Sequence, residues 1–402
     1  MLDSIYIGLS GMDAYSKGLQ IISNNVANLN TLGFKADTAT FSDFYNTSNS
    51  TDNSGQDGSG SPSQGAGVRS GSSLVDFSQG DLQQSNGDLD LAVQGRGFLV
   101  LKSADGQAFY GQTGQFAVDG QGYISTANGV YRLTVIDPAT KQPTTINVNQ
   151  LATSPPAATT KVTFSDNLSS TGTTADVPNI TVYDGAGGKH TWDVKFTAVG
   201  STAPNTWTVT VTDENGDTLA TSTLKFAGNA VDPTTQTISV SSTPAGSPPL
   251  TVDLDFSQNV TSFSAGTTST LKAASVDGRG PGQLDSVTLD NTGNLQAGYT
   301  NGQSAALGAV ALADFSDPQQ LVRATGGPGL FTAPSTLKPQ LLTSGDARVG
   351  SLVSKELQAS NVDLTGQFGQ LILIQRGYQA CSQVLSVSND MIQQLFGIRG
   401  QG

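Results

Sequence analysis

SNVDLTGQFGQLILIQRGYQACSQVLSVSNDMIQQLF, residues 360–396, decides how this chain is read. It opens on Ser360-Asn361-Val362-Asp363, a Ser-x-x-Asp pattern in which each side chain can cap the other's backbone N–H. Leu364, Phe368, Leu371, Tyr378, Leu385, Ile392 and Phe396 then recur at spacings of 3, 4 and 7. That spacing predicts one face of a helix of about 37 residues, far beyond the average of about 11–12. Leu371-Ile372-Leu373-Ile374 is apolar on successive steps of about 100°, which covers most of the helix circumference. One partner helix cannot cover several sides, whereas neighbours in an assembly can.

The other end of the chain answers it. Leu2, Ile5, Leu9, Met12, Leu19 and Val26 follow the same rhythm, with Ser16 and Ser23 on its two polar steps. The repeat predicts a helix from about Asp3 to Asn28, stopped by the turn signal Asn30-Thr31-Leu32-Gly33. Two long seamed helices at opposite ends predict a pair that closes the chain on itself, with an ordinary two-helix scaffold as the plainer alternative. Gly8, Gly11, Gly18, Gly366, Gly369 and Gly377 each cost roughly 0.5–1 kcal/mol of helix stability. Asn361, Gln375, Ser382 and Asn389 put polar groups in the seam. Such helices are expected to be stable only when packed together.

At 402 residues the chain is long enough for two to three domains. Charged residues make up 13% and apolar ones 36%, with 47 glycines, a composition that suits turn-rich β structure. A net charge of −13, with basic residues scattered, argues against nucleic acid as a partner. The single cysteine, Cys381, excludes an internal disulfide and reads as a small apolar residue within the last helix. No window approaches 18 consecutive apolar residues, so no membrane span is expected. The N-terminus lacks the basic segment, apolar region and small-residue cleavage site of a secretory signal, so export by the general secretory route is not expected.

Between the helices the chain reads as β. Asn46 to Gly67 is rich in Ser, Gly, Asn, Asp and Gln and predicts a flexible connector. Leu89-Asp90-Leu91-Ala92-Val93 alternates, and Phe98-Leu99-Val100-Leu101 is an apolar run. Gly95-Arg96-Gly97 between them lacks the third glycine and the helix of a nucleotide loop. From about Thr145 to Val276 short Thr/Val-rich strands take over, among them Ile180–Tyr183, Trp192–Phe196 and Trp207–Val211. Asp213-Glu214-Asn215-Gly216-Asp217 predicts a hairpin tip and lacks the ligand spacing of a calcium loop. This stretch reads as a β domain inserted into another. His190, the lone histidine, reads as a surface residue, and most Asp residues stand in turn contexts. No catalytic set, cofactor site or metal site emerges.

Gly8-Leu9-Ser10-Gly11-Met12, Ile22-Ser23-Asn24-Asn25-Val26-Ala27-Asn28 and Thr31-Leu32-Gly33-Phe34-Lys35 resemble the N-terminal signature of the bacterial flagellar rod and hook axial proteins. Ser360–Leu364 and Gln375-Arg376-Gly377-Tyr378-Gln379-Ala380 resemble the matching C-terminal signature. Leu89–Phe98, Gly114–Phe116 and Asp119–Tyr123 are similar to inner segments of the same family, while Tyr110-Gly111-Gln112-Thr113 departs from its more usual Tyr-Thr-Arg. The resemblance covers roughly 1–140 and 275–402.

It implies a mainly β fold with a terminal α-helical pair. The two helices form a coiled-coil-like assembly domain, followed outward by two β domains, the outer inserted into the inner. The expected division is 1–31 plus 352–402 for the helical assembly domain and 32–70 for a connector. Residues 71–145 plus 277–351 would form the inner β domain, and 146–276 the inserted outer one. The assembly residues on the N-terminal helix would be Leu2, Ile5, Leu9, Met12, Leu19, Ile22 and Val26, with Asn24, Asn25, Asn28, Gly33 and Phe34 as family motif. On the C-terminal helix they would be Leu364, Phe368, Leu371, Ile372, Ile374, Gln375, Arg376, Tyr378, Leu385, Ile392 and Phe396. The inserted domain is what a hook subunit is expected to carry, and a distal rod-type protein is the alternative within the family. The expected partners are copies of itself in a helical polymer, the distal rod, the hook cap, the hook-filament junction proteins and the flagellar type III export apparatus. The expected location is the extracellular flagellum. A different class, a secreted adhesin or glycan binder, would use Trp192, Trp207 and Tyr183 as a platform. Buried core is the simpler role for those aromatics.

Overall fold

The computed structural model describes residues 2–45, 65–137, 139–200, 203, 205–244 and 246–399. They divide into two compact units, one comprising Met1–Asn149, Val287–Gln296 and Ala306–Gly402, the other Gln150–Ser286 and Ala297–Ala305. The chain therefore leaves the first unit twice.

The first unit holds both helices, α1 (Leu2–Ala27) and α2 (Leu364–Arg399). α2 starts later than Ser360. Asp363 is the residue that caps it, its carboxylate accepting from the N–H groups of Thr365 (3.0 Å) and Gly366 (3.1 Å). Ser360 only accepts weakly from Val362 N–H at 3.4 Å, so the reciprocal capping box does not form. The reason is local. Asn361 is bonded to Ala36, Asp76 and Ser78, and residues 360–362 stay outside the helix. After α1 the strand Phe41–Tyr45 pairs with Gly65–Ser70, so the far end of the expected connector is ladder rather than loop. Residues 46–64 of that connector lie outside the described residues.

The unit's main sheet is antiparallel, running from Phe331–Thr332 through Ala108–Gly111, Phe98–Ser103, Tyr131–Ile136, Ile124–Thr126, Thr113–Val118 and Asp90–Gln94 to Ser351–Ser354. Phe98, Tyr110, Phe315 and Phe331 form an edge-to-face aromatic core, with the Tyr110 and Phe315 rings 4.8 Å apart. Gln112, in the stretch that departs from the family pattern, is buried with neither amide atom hydrogen-bonded to the described residues.

The second unit is all β. Along Lys189–Ala198 and Thr206–Thr212 burial alternates residue by residue, which sends Trp192, Val194, Phe196, Trp207, Val209 and Val211 into one core. Such alternation is what a sheet with one covered face requires. Trp192 and Trp207 are 1% and 2% exposed, so neither offers a ring to a ligand. Lys161–Asn167 runs parallel to Leu250–Asp255, and the Phe164 and Phe256 rings stack at 4.5 Å. The hairpin tip at Asp213 forms as expected, the Asp213 carboxylate accepting from Asn215 and Asp217 N–H.

Candidate assembly surface

α1 and α2 pack antiparallel along a seam of small residues. Asn25 faces Gln367, Gly18 faces Ile374, Tyr15 lies over Gly377, Gly11 meets Cys381, and Gly8 meets the Cys381 carbonyl and Leu385. A Cβ added at Gly11 would lie 2.6 Å from Cys381 Sγ, and one at Gly18 2.8 Å from Ile374 Cδ1. Gly8, Gly11, Gly18 and Gly377, which weaken each helix in isolation, are thus the positions where the two helices approach, whereas Gly366 and Gly369 meet no atom of α1. Beside the seam, Val68 N–H donates to Ser10 Oγ at 3.2 Å, which holds the strand pair 41–45 and 65–70 against α1.

The pairing seam is not the apolar stripe. The expected stripe on each helix stands one residue C-terminal to most of the seam positions, a rotation of about 100°. On α1, Ile5, Met12, Leu19 and Val26 are half-buried and Leu9 is exposed, while Ile22 alone of the set is buried. The side chain of Leu2 lies outside the described residues. On α2, Leu364, Phe368, Ile372, Gln375, Arg376 and Phe396 are exposed. Leu371, Tyr378, Leu385 and Ile392 are half-buried, and Ile374 is buried. Leu373, Val384, Val387 and Met391 add a further exposed apolar row, with Leu373 70% exposed. Large apolar side chains therefore face outward on more than one side of α2, well beyond the scattered singles normal on a protein surface.

The family motifs meet in a junction at the base of the helix pair. Asn25, fully buried, donates to Asp37 O (2.7 Å) and Gln367 Oε1 (3.1 Å) and accepts from Asp37 N–H (2.9 Å). Asn28 reaches back to the Asn24 carbonyl (2.9 Å) and side chain (3.1 Å), and Thr31 bonds Asn28, which closes the last turn of α1. Asn24 itself is exposed. Gly33 has φ +68°, a conformation that favours glycine, and a Cβ there would also strike Thr113. Its N–H donates to Gln358 O at 2.8 Å. Phe34 is buried with Ala36 and Val362 under the Arg323 guanidinium, 4.9 Å from the ring centroid, and Arg323 pairs with Asp37 at 3.1 Å. Asn361 completes the knot. It accepts from Ala36 N–H (2.7 Å) and donates to the carbonyls of Asp76 (2.8 Å) and Ser78 (3.1 Å).

Lys35 sits inside this junction, 1% exposed, donating to Ser78 O (2.7 Å) and Gln358 Oε1 (3.0 Å). Burial lowers its pKa to about 8, against the opposing pull of Asp76. A lysine whose folded value lies below its unfolded 10.5 binds its proton less tightly when folded. The junction should therefore grow more stable as pH rises from about 8 to 10.5, by roughly 3 kcal/mol at the limit. Amide hydrogen exchange around residues 34–37 across that range would reveal it. A flat profile, or one shared by Lys35→Met, would remove Lys35 as the cause.

Lys35, Arg323 and the small-residue seam were not legible as site residues from apolar periodicity. His190 also differs from its expected surface role. It is largely buried in the second unit, with Nε2 3.1 Å from Asp184 and Nδ1 3.4 Å from Glu214. Burial disfavours its charge, but the hydrogen bonds to the two carboxylates prevail and raise its pKa. Ser247 Oγ also donates to Asp184, so the carboxylate stands between serine and histidine. That order cannot activate the serine as a nucleophile. Among the described residues no helix is long and apolar enough to cross a membrane.

Four family models match the chain. They are the flagella basal body rod protein over residues 5–35, the flagellar hook protein FlgE/F/G D1 domain over 92–167, the flagellar basal body protein FlaE D2 domain over 147–279, and the flagellar basal body rod FlgEFG protein C-terminal region over 353–398. The flagellar hook protein FlgE of Salmonella typhimurium is 30% identical over 97% of this chain and 98% of its own. That of Treponema pallidum is 28% identical over 99% of this chain and 100% of its own. The crystal structure of the Helicobacter pylori flagellar hook protein FlgE2 aligns with 69% of this chain and 99% of its own at a TM-score of 0.44 and 14% identity, too loose a likeness to argue from.

Proposed function

The chain belongs to the flagellar hook protein family and is a structural subunit of the hook; from that premise we propose that it polymerises with copies of itself into a flexible curved tube that joins rod to filament and transmits torque. The observation that carries this reading is the apolar surface left open on α2, Phe368, Ile372, Leu373, Val384, Val387, Met391 and Phe396. Exposed, that surface costs free energy at about 25 cal/mol per Å², and packing against α1 of the same chain does not cover it. Neighbouring copies of the same helix pair would. In this reading the stripe residues Ile5, Leu9, Met12, Leu19 and Val26 of α1, and Leu371, Tyr378, Leu385 and Ile392 of α2, complete the contact. The junction at Asn25, Lys35 and Asn361 fixes the angle at which the helix pair leaves the β structure. The terminal contacts are with the rod, the cap and the hook-filament junction proteins, and delivery to the outside is by the flagellar type III apparatus.

Electron microscopy of the purified full chain at rising concentration tests the proposal. Tubes or helical protofilaments are expected. A protein that stays monomeric at every concentration, with and without added precipitant, would overturn it.

A further inference from the structure

The chain contains four Asn-Gly pairs, Asn86-Gly87, Asn128-Gly129, Asn215-Gly216 and Asn301-Gly302. At such a pair the glycine peptide nitrogen can attack the asparagine side-chain carbonyl carbon. A C–N bond forms, the C–NH2 bond breaks and ammonia leaves with the proton from the peptide nitrogen. Water then opens the cyclic imide at either carbonyl to give aspartate or isoaspartate, so the net change is water in and ammonia out. The attacking N–H and the carboxamide must both be free to move.

Three of the pairs are tied on both counts. Gly129, Gly216 and Gly302 donate their N–H across the turn to Thr126 O (2.7 Å), Asp213 O (3.0 Å) and Tyr299 O (2.9 Å). The Asn128 side chain accepts from Thr126 Oγ1 (2.6 Å) and Val130 N–H (3.2 Å). The Asn215 side chain donates to Asp213 (3.3 Å), and that of Asn301 to Gly280 O (3.0 Å). Asn86 differs. It is exposed, and neither its carboxamide nor the Gly87 N–H has a hydrogen-bond partner among the described residues.

We propose that Asn86 is a site of spontaneous deamidation and isoaspartate formation in the folded subunit, while the other three pairs are protected by their turns. The position matters for the fold around it. Residue 86 lies between the strands Leu82–Gln84 and Asp90–Gln94, which pair with Glu356–Gln358 and Ser351–Ser354 just ahead of α2. The same turn carries the Asp88–Lys355 ion pair (3.0 Å) and the bond from Ser85 N–H to Lys355 O (2.7 Å). Deamidation sets a new carboxylate beside that pair, and the isoaspartate form also lengthens the backbone by one methylene.

The test is peptide mapping of the folded full chain after incubation at mildly alkaline pH. Cleavage after Arg69 and Arg96 releases 70–96, whose sole Asn-Gly pair is Asn86-Gly87. That peptide should gain the mass of an NH2-to-OH exchange, split into two products of equal mass, at least about tenfold faster than the peptides with the other pairs. A tenfold ratio corresponds to a barrier difference of about 1.4 kcal/mol. In concentrated urea the four rates should converge, and N86Q should abolish the change in 70–96. Equal rates at all four pairs in the folded protein, or a faster rate at any other pair, would overturn the proposal.

Discussion

Leu373→Asp is expected to leave the subunit folded and abolish its assembly. Leu373 is 70% exposed, so an aspartate there meets water and the monomer loses little. Val384, Val387 and Met391 of the same row are exposed as well, so the substitution stands on the open apolar surface of α2. Once a neighbouring copy covers the site, the contribution of a buried leucine is missing, roughly 2–5 kcal/mol. An unpaired carboxylate is also stripped of water, which adds to the loss. Every subunit in a tube repeats this cost, so elongation fails rather than slows. Circular dichroism and thermal unfolding should match the parent chain while electron microscopy finds no tubes. Normal tubes would mean that this face of α2 stays wet in the assembly.

The second large effect is expected at Gly11. Helix propensity alone predicts that Gly11→Leu stabilises α1, by somewhat less than the roughly 0.8–1 kcal/mol that separates Gly from Ala. Packing predicts the opposite, because the new Cβ would begin 2.6 Å from Cys381 Sγ, before the rest of the side chain is placed. Overpacking of this kind costs about 1–3 kcal/mol. With α1 and α2 forced apart, the bond between Asn25 and Gln367 at the base of the seam is at risk too. Limited proteolysis should then cut both ends of the monomer while the β units resist. Removing the obstruction with Cys381→Gly in the same chain should restore resistance. An intact, more helical pair in the single variant would show that propensity outweighs contact here.

The contrast between those two residues explains what could be read from the sequence. Periodic reading counts large apolar side chains, and it found α1 within a residue or so at each end. It could not see the seam, because Gly8, Gly11, Gly18 and Gly377 act through the absence of a side chain. It misplaced the start of α2 for a related reason. Ser360 and Asp363 both look like caps, and only the bonds of Asn361 to Ala36, Asp76 and Ser78 decide between them. The second unit's strands were legible where burial alternates strictly, as at Trp192-Val194-Phe196. The parallel pairing of Lys161–Asn167 with Leu250–Asp255 was not, since nothing local specifies a partner so far along the chain. Lys35 was opaque because Gln358, which accepts from it, lies 323 residues along the chain, and His190 because apolar periodicity does not count the turn carboxylates Asp184 and Glu214 that receive it.

One consequence of the junction lies in time rather than space. Asn25 and Gln367 are 342 residues apart, and Ala36 and Asn361 325 apart. A ribosome releases about 5–20 residues per second, so the first helix waits on the order of tens of seconds for the second to be made. Over that interval the second unit, contained within residues 150–305, can already close, whereas the first unit's sheet still waits for Phe331–Thr332 and Ser351–Ser354. The chain therefore emerges with its adhesive end first and the means of ordering that end last. A partial chain, lacking residues 361–385, has nowhere to seat α1. Only a finished subunit can present the paired helices to its neighbours.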